Sequence, residues 1–221
     1  MSSFFAPSNT SLKVCGITRE EDARGLVEHG VEALGVNFWP QSKRYISPTK
    51  AHSILKPLAD QILRVGVFVN ADPSEVLDLL NNNTIDVAQF HGDESIEYCQ
   101  AFKSHGYPFI RAIGVKNSDS LTNISEFGAD AILLDAHAPG VYGGTGEAFD
   151  WTLARKLIDS NPQLPILLAG GITAENAELA TRQVRPAALD LASGSESAPG
   201  VKDFDKILAI QRGIDRAQSQ S

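Results

Sequence analysis

The chain offers few residues able to do chemistry, and they stand where short apolar runs end. Cys15 closes the run Leu12–Cys15 and is followed by Gly16, which lets other groups approach its sulfur. A thiolate in that position can act as a nucleophile or a base. Asp135 closes the run Ala131–Asp135. It could cap a turn or face a cavity, and it becomes a general acid only if burial raises its pKa. Arg44 lies in the basic loop Phe38-Trp39-Pro40-Gln41-Ser42-Lys43-Arg44. Folded over a pocket, its guanidinium could hold a carboxylate with two parallel hydrogen bonds; on the surface it is a solvated charge. His91, after Val87–Phe90, could serve as ligand, base or hydrogen-bonding support. Gly170-Gly171 and Ser193-Gly194 follow two further runs, where bare backbone N–H groups can cradle a phosphate. A long glycine-rich stretch, Gly140 to Gly146, reads as a lid that lends N–H groups, that of Gly144 among them, to the same anion, or as a plain connector. Any one of these is weak: free cysteine is among the most buried residue types, and a Gly-Gly pair is often only a turn. Their recurrence at run ends is harder to dismiss.

The elements that would position them alternate regularly. Apolar runs lie near Leu12–Cys15, Ala33–Phe38, Ile62–Val69, Val87–Phe90, Phe109–Val115, Ala131–Asp135, Ile166–Ala169 and Ala188–Leu191. Helical stretches begin near Arg19, Pro48, Pro73, Glu94, Ser118, Asp150, Ala174 and Asp203. Ser47-Pro48 and Asp72-Pro73 place an N-cap before a first-turn proline, and Thr18 and Thr173 precede acidic first turns that they could cap. The runs are continuous rather than alternating, as in parallel strands covered on both faces. Eight strand–helix units in order predict an α/β fold, a single-domain (β/α)8 TIM barrel over residues 12–217, with an open doubly wound sheet as the alternative. Residues 1–11 and 218–221 are expected to be flexible ends. In such a barrel the active site sits at the C-terminal strand ends, where the candidates collect.

Composition narrows the partners. The net charge is -8 and the pI about 5.1, which disfavours nucleic acid and anionic membrane surfaces. No run is long enough to span a bilayer, and the N-terminus lacks a signal-peptide pattern. Cys15 and Cys99 are too few for a disulfide framework and lack metal-ligand spacing; a reducing cytoplasm, and no metal or cofactor, is the expectation. The oligomeric state is not encoded in any feature of the chain.

From Lys13 to about Asp205 the motifs, in order, resemble the phosphoribosylanthranilate isomerase family of tryptophan biosynthesis. They are Lys13-Val14-Cys15-Gly16-Ile17-Thr18, Gly35 through Ile46, Val65-Gly66-Val67-Phe68-Val69-Asn70, Gln89-Phe90-His91-Gly92-Asp93 and Leu133-Leu134-Asp135. Gly143-Gly144-Thr145-Gly146 with Phe149-Asp150-Trp151, Ala169-Gly170-Gly171-Ile172, and Ser193-Gly194 with Pro199-Gly200-Val201-Lys202-Asp203 complete the set. The chain departs from the family pattern at Asn37, Phe90, Ala192 and Ser195-Glu196-Ser197; Ala192 removes a hydroxyl near the expected phosphate.

The resemblance implies an Amadori rearrangement of N-(5-phosphoribosyl)anthranilate to an aminoketose phosphate. It implies Asp135 as acid, Cys15 as base, Arg44 on the anthranilate carboxylate and the strand 7 and 8 loops on the phosphate. Lys13, two residues before Cys15, points to the same side of its strand and needs a buried partner, for which Asp190 is the candidate. Other sugar-phosphate barrels share the phosphate loops. A histidine-pathway isomerase would be expected to carry aspartate at position 15, and a pentose-phosphate epimerase a metal cluster. A barrel that only binds a phosphosugar would have no need to keep Cys15, Asp135 and Arg44 together.

Overall fold

The structure is a computed structural model that describes residue 4, residues 9–136 and residues 149–219. Eight parallel strands close into a barrel in chain order: β1 Ser11–Cys15, β2 Ala33–Asn37, β3 Leu63–Phe68, β4 Val87–Phe90, β5 Phe109–Val115, β6 Ala131–Ala136, β7 Ile166–Leu168 and β8 Ala188–Leu191. Helices α1 Glu20–Glu28, α2 Pro48–Leu55, α3 Pro73–Asn81, α4 Ile96–Ser104, α5 Trp151–Ser160, α6 Ala177–Val184 and α7 Phe204–Gln218 surround it. The closed order excludes the open-sheet alternative. A two-stranded antiparallel hairpin, β9 Glu196–Ala198 and β10 Val201–Lys202, follows β8.

Strand alternation divides the core in two. Leu12 and Val14, like Ile132 and Leu134, point outward into the apolar layer under the helices. The intervening Lys13 and Cys15, and Leu133 and Asp135, therefore face inward. The interior is filled from below by small and branched side chains, among them Ala33, Val65, Val87, Ile110, Leu133 and Leu167. Among the described residues, the inward polar groups Cys15 and Asp135 lie at the upper ends of their strands, with Lys13 below Cys15.

Local signals explain most helix starts. Ser47 accepts from the Lys50 N–H, Asp72 from Ser74 and Asp150 from Thr152. The expected caps at Thr18 and Thr173 do not form. The Thr18 hydroxyl donates to the Gly200 carbonyl at 2.7 Å, and α1 starts after Arg19. The Thr173 N–H is taken by Asn176, and α6 starts at Ala177. The helix expected near Glu94 starts instead at Ile96, capped by Ser95, because the Glu94 carboxylate is buried against Arg111 at 2.8 Å. The helix expected from Ser118 is replaced by short 3-10 turns, Ser118–Leu121 and Ile124–Phe127. Asn117 and Ser120 bond the local backbone, and Asn123 and Gly128 adopt positive φ, so a continuous α-helix cannot form.

The chain ends are more engaged than expected. Ser11 belongs to β1 and donates its N–H to the Ala187 carbonyl. Gln218 reaches back to the Thr10 carbonyl at 3.0 Å. Phe4 is 3% exposed and packs with the residues that fill the barrel interior. The aromatic ring finds apolar surface where the lowest layer, built of residues as small as Ala33 and Ala188, leaves it room. Phe4→Ala is expected to destabilise the protein by about 3 kcal/mol in urea unfolding, the cost of emptying a buried aromatic site. An unchanged midpoint would show that the end of the chain is not part of the core.

Candidate active site

The site is built on a buried ion pair. Lys13 is fully buried on β1, and its Nζ lies 2.8 Å from Asp190 Oδ1 on β8, its partner in the strand register. This is the contact expected from the sequence. Burial pulls the ammonium down, but Asp190 and the neighbouring Cys15 outweigh it, so the Lys13 pKa is raised and the cation persists. Cys15, one strand repeat above, lies at the mouth and keeps some solvent contact. Gly35 stands opposite it in the register of β2, and a Cβ there would sit 2.8 Å from the sulfur. The glycine thus makes room for the thiol. Burial pushes the Cys15 thiol up; Lys13 opposes this, Asp190 adds to the upward push, and the Lys202 and Arg44 cations add smaller downward pulls.

Asp135 ends the inward face of β6. Burial raises its carboxyl to about 6, against the pull of the Ala136 N–H, which donates to Oδ1 at 2.9 Å. Its Oδ2 lies 3.5 Å from His91 Nε2. Burial, with Lys13 and Arg111 nearby, lowers the His91 pKa to about 4, so the ring is neutral beside the acid. The Gln89 amide nitrogen faces His91 Nδ1 at 3.5 Å, which favours the ring proton on Nε2, toward Asp135. His91 is therefore a neutral polar neighbour of the Asp135 carboxyl, and no cluster of metal-ligating side chains is present among the described residues.

Gly170 adopts φ +80°, and a Cβ on it would lie 2.8 Å from Ala136 N and 3.0 Å from Asp135 Oδ1. The strand 7 turn is glycine because the acid's strand end leaves no space for more. Gly171 follows at φ +66°, and Gly194 packs so tightly that a Cβ would meet the Ile172 carbonyl at 1.9 Å. The loops after β7 and β8 therefore form one continuous backbone surface. The N–H groups of Gly171, Ser193 and Gly194 have no acceptor among the described residues, which leaves them for an anion. Ala192 lies beside them with no hydroxyl to add.

Arg44 does fold over the mouth. Its stem lies against Gly16, where a Cβ would come within 2.3 Å of Cδ. Its Nε and Nη2 pair with the Glu196 carboxylate, at 2.8 Å and 2.7 Å to the nearer oxygens. Glu196 also accepts from Lys202 Nζ at 3.0 Å, and Lys202 donates to the Cys15 carbonyl at 2.6 Å. The sequence reading gave neither residue a role. Glu196 stood only as a departure from the family pattern, and Lys202 only as part of a motif.

Every described candidate, namely Cys15, Arg44, His91, Asp135, Gly170, Gly171, Ser193 and Gly194, lines one cavity of about 410 Å³ at the C-terminal strand ends. Gly144 and the stretch 140–146 lie outside the described residues. The cavity presents a thiol and a carboxyl with raised pKa values, N–H groups suited to an anion, and an arginine at its rim. Such a set can protonate one atom of an anionic ligand and deprotonate another.

The chain is similar to known proteins along most of its length. Residues 12–212 match a family model described as N-(5'phosphoribosyl)anthranilate (PRA) isomerase. An N-(5'-phosphoribosyl)anthranilate isomerase of Nitrosomonas eutropha is 45% identical over 205 residues, covering 92% of this chain and 95% of that protein. The crystal structure of phosphoribosyl anthranilate isomerase from Thermotoga maritima superimposes with a TM-score of 0.84 at 37% identity, covering 94% of this chain and 99% of that one. A crystal structure of a phosphoribosyl anthranilate isomerase in complex with reduced 1-(o-carboxyphenylamino)-1-deoxyribulose 5-phosphate matches with a TM-score of 0.78 at 36% identity, over 95% and 99% of the two chains.

The ion pair under the thiol yields a stability prediction. Lys13→Met strands a buried Asp190 charge and is expected to cost about 3–5 kcal/mol in chemical unfolding. Adding Asp190→Leu should recover most of that loss, because two apolar groups need no counter-charge. Equal stability of the single and double variants would contradict the pairing.

Proposed function

The chain belongs to the N-(5'-phosphoribosyl)anthranilate isomerase family, and we propose that Cys15 and Asp135 are the base and acid of its reaction. The enzyme converts N-(5'-phosphoribosyl)anthranilate to 1-(2-carboxyphenylamino)-1-deoxyribulose 5-phosphate in tryptophan biosynthesis. Asp135 gives its proton to the ribose ring oxygen. The bond from that oxygen to C1 breaks, and the amine nitrogen's lone pair forms a C1 iminium. The iminium acidifies the C2 proton, which the Cys15 thiolate removes. The C–H electrons become the C1–C2 double bond of an enolamine, and ketonisation, with proton return to C1, gives the aminoketose. The backbone N–H groups of Gly171, Ser193 and Gly194 hold the phosphate, and Arg44 holds the ring carboxylate. His91 holds the acid's oxygen in place. A reducing cytoplasm suits a chemistry that needs a free thiol.

One observation carries the assignment: the two groups line one cavity from opposite sides of the ring. From β6 to β1 the barrel passes β7 and β8, so the phosphate loops lie between acid and base. Arg44, after β2, lies on the far side of the base, where the aromatic end of the ligand extends.

The raised pKa values fix the pH profile. The productive form needs Asp135 protonated and Cys15 ionised, although the acid titrates near 6 and the thiol higher. Below pH 6 the acid is protonated and the thiolate fraction grows tenfold per pH unit. Above it, loss of the acid's proton cancels that growth. kcat/KM should thus rise with unit slope to about pH 6 and then stay level until the thiol itself titrates. A fall in kcat/KM from pH 6 upward would contradict the assignment. In an assay that generates the substrate in situ and follows anthranilate fluorescence, Cys15→Ser and Asp135→Asn should each lose about 10²–10⁴-fold in kcat. Full activity in either variant would remove that residue from its role, and no turnover by the wild type would point to a binding protein.

A further inference from the structure

We infer that Glu196 is a positioning residue for Arg44: it holds one edge of the guanidinium so that the other edge faces the ligand's ring carboxylate. The inference rests on the role given to Arg44 above and adds the part that aims it.

A guanidinium has two edges that can each donate two parallel hydrogen bonds. In Arg44 the edge formed by Nε and Nη2 is spent on Glu196. The edge formed by Nη1 and the remaining Nη2 hydrogen has no acceptor among the described residues. Arg44 lines the cavity together with Cys15, so that edge is the one left for a ligand there.

Glu196 can act as a fixed reference because it is itself immobilised. Its side chain is 4% exposed, and its Oε1 also accepts from the Gly200 N–H at 3.1 Å and from Lys202. Lys202 is fully buried at its side chain and is anchored in turn on the Cys15 carbonyl. The arginine is thus referenced to the strand end that carries the base, although it sits on a loop with a long, rotatable stem. The arrangement keeps the attraction for an anion. Burial lowers the Lys202 pKa against the opposing pull of Glu196, while Arg44, whose pKa is raised chiefly by its hydrogen bonds to Glu196, keeps its positive charge at the mouth. Burial alone would raise the Glu196 pKa, but Arg44 and Lys202 hold it below its ordinary value, so the carboxylate stays ionised.

Two ligands separate aiming from folding: the reduced aminoketose phosphate product, and its counterpart lacking the ring carboxylate. Their binding is measured by calorimetry on wild type, Glu196→Gln, Glu196→Asp and Arg44→Ala. The Asp variant keeps the charge but draws it one methylene away from Arg44. Wild type should prefer the carboxylated ligand. Both Glu196 variants should lose about tenfold of that preference, with the decarboxylated ligand bound as in wild type. KM should rise by about the same factor while kcat changes little, the signature of lost ground-state binding. If Arg44→Ala loses the preference while both Glu196 variants keep it, Glu196 does not position the arginine. Equal weakening of both ligands, or failure of both variants to fold, would reduce Glu196 to a structural role and overturn the inference. If Arg44→Ala itself keeps the preference, the assignment of Arg44 to the carboxylate is what fails.

Discussion

Everything at the mouth of this barrel depends on a charge placed where water cannot reach it. Lys13 and Asp190 meet inside the barrel, on the two strands that close the ring. Such a pair contributes little net stability, because desolvating two ions offsets their attraction. Its value lies in position. It ties β1 to β8 in one register, and a slip by one residue would turn Cys15 outward. It also places a cation beneath the thiol, which offsets part of the upward push that burial gives its pKa.

The same geometry separates the roles of two groups that burial affects alike. Thiol and carboxyl are both pushed up, so one is kept mostly protonated and the other is brought near neutrality as an acid. The barrel sets them apart by two strands and fills that gap with backbone N–H groups. Glycine is needed there for steric reasons: Gly170 abuts the acid's own strand end, and Gly194 abuts the strand 7 loop. A third layer, Arg44, Glu196 and Lys202, locks the strand 2 loop and the strand 8 hairpin onto the backbone of Cys15. Asp135, the backbone N–H groups after β7 and β8, Cys15 and Arg44 are therefore parts of one connected surface.

Much of this was legible in the sequence, for identifiable reasons. Strands buried on both faces appear as unbroken apolar runs, so all eight strands lie within a residue or two of their expected bounds. Chemistry at strand ends is visible because a Cys, Asp or Gly-Gly interrupts an apolar run. The Lys13–Asp190 contact followed from period-two alternation on strands that ring closure makes neighbours. What stayed hidden depends on tertiary contacts. Glu196 and Lys202 sit in a hairpin with no run to interrupt, and only the folded position of Arg44 reveals their use. Thr18 and Thr173 have the residue types of caps, but the Thr18 hydroxyl goes to the Gly200 carbonyl, and a turn held by Asn176 separates Thr173 from the helix that starts at Ala177. The stretch after β5 has helix-like apolar spacing, yet Asn117, Asn123 and Gly128 favour tight turns.

The most direct test of the account is the alkylation of Cys15 by iodoacetamide, followed by mass spectrometry and activity on the same sample. Cys99 is buried, so the modified position is readily distinguished. The account predicts that activity disappears in step with modification of Cys15 alone. It also predicts that the reduced product slows the reaction, and that its rate rises with pH through a midpoint above the free-thiol value of about 8.5. Full turnover by protein alkylated at Cys15 would contradict it.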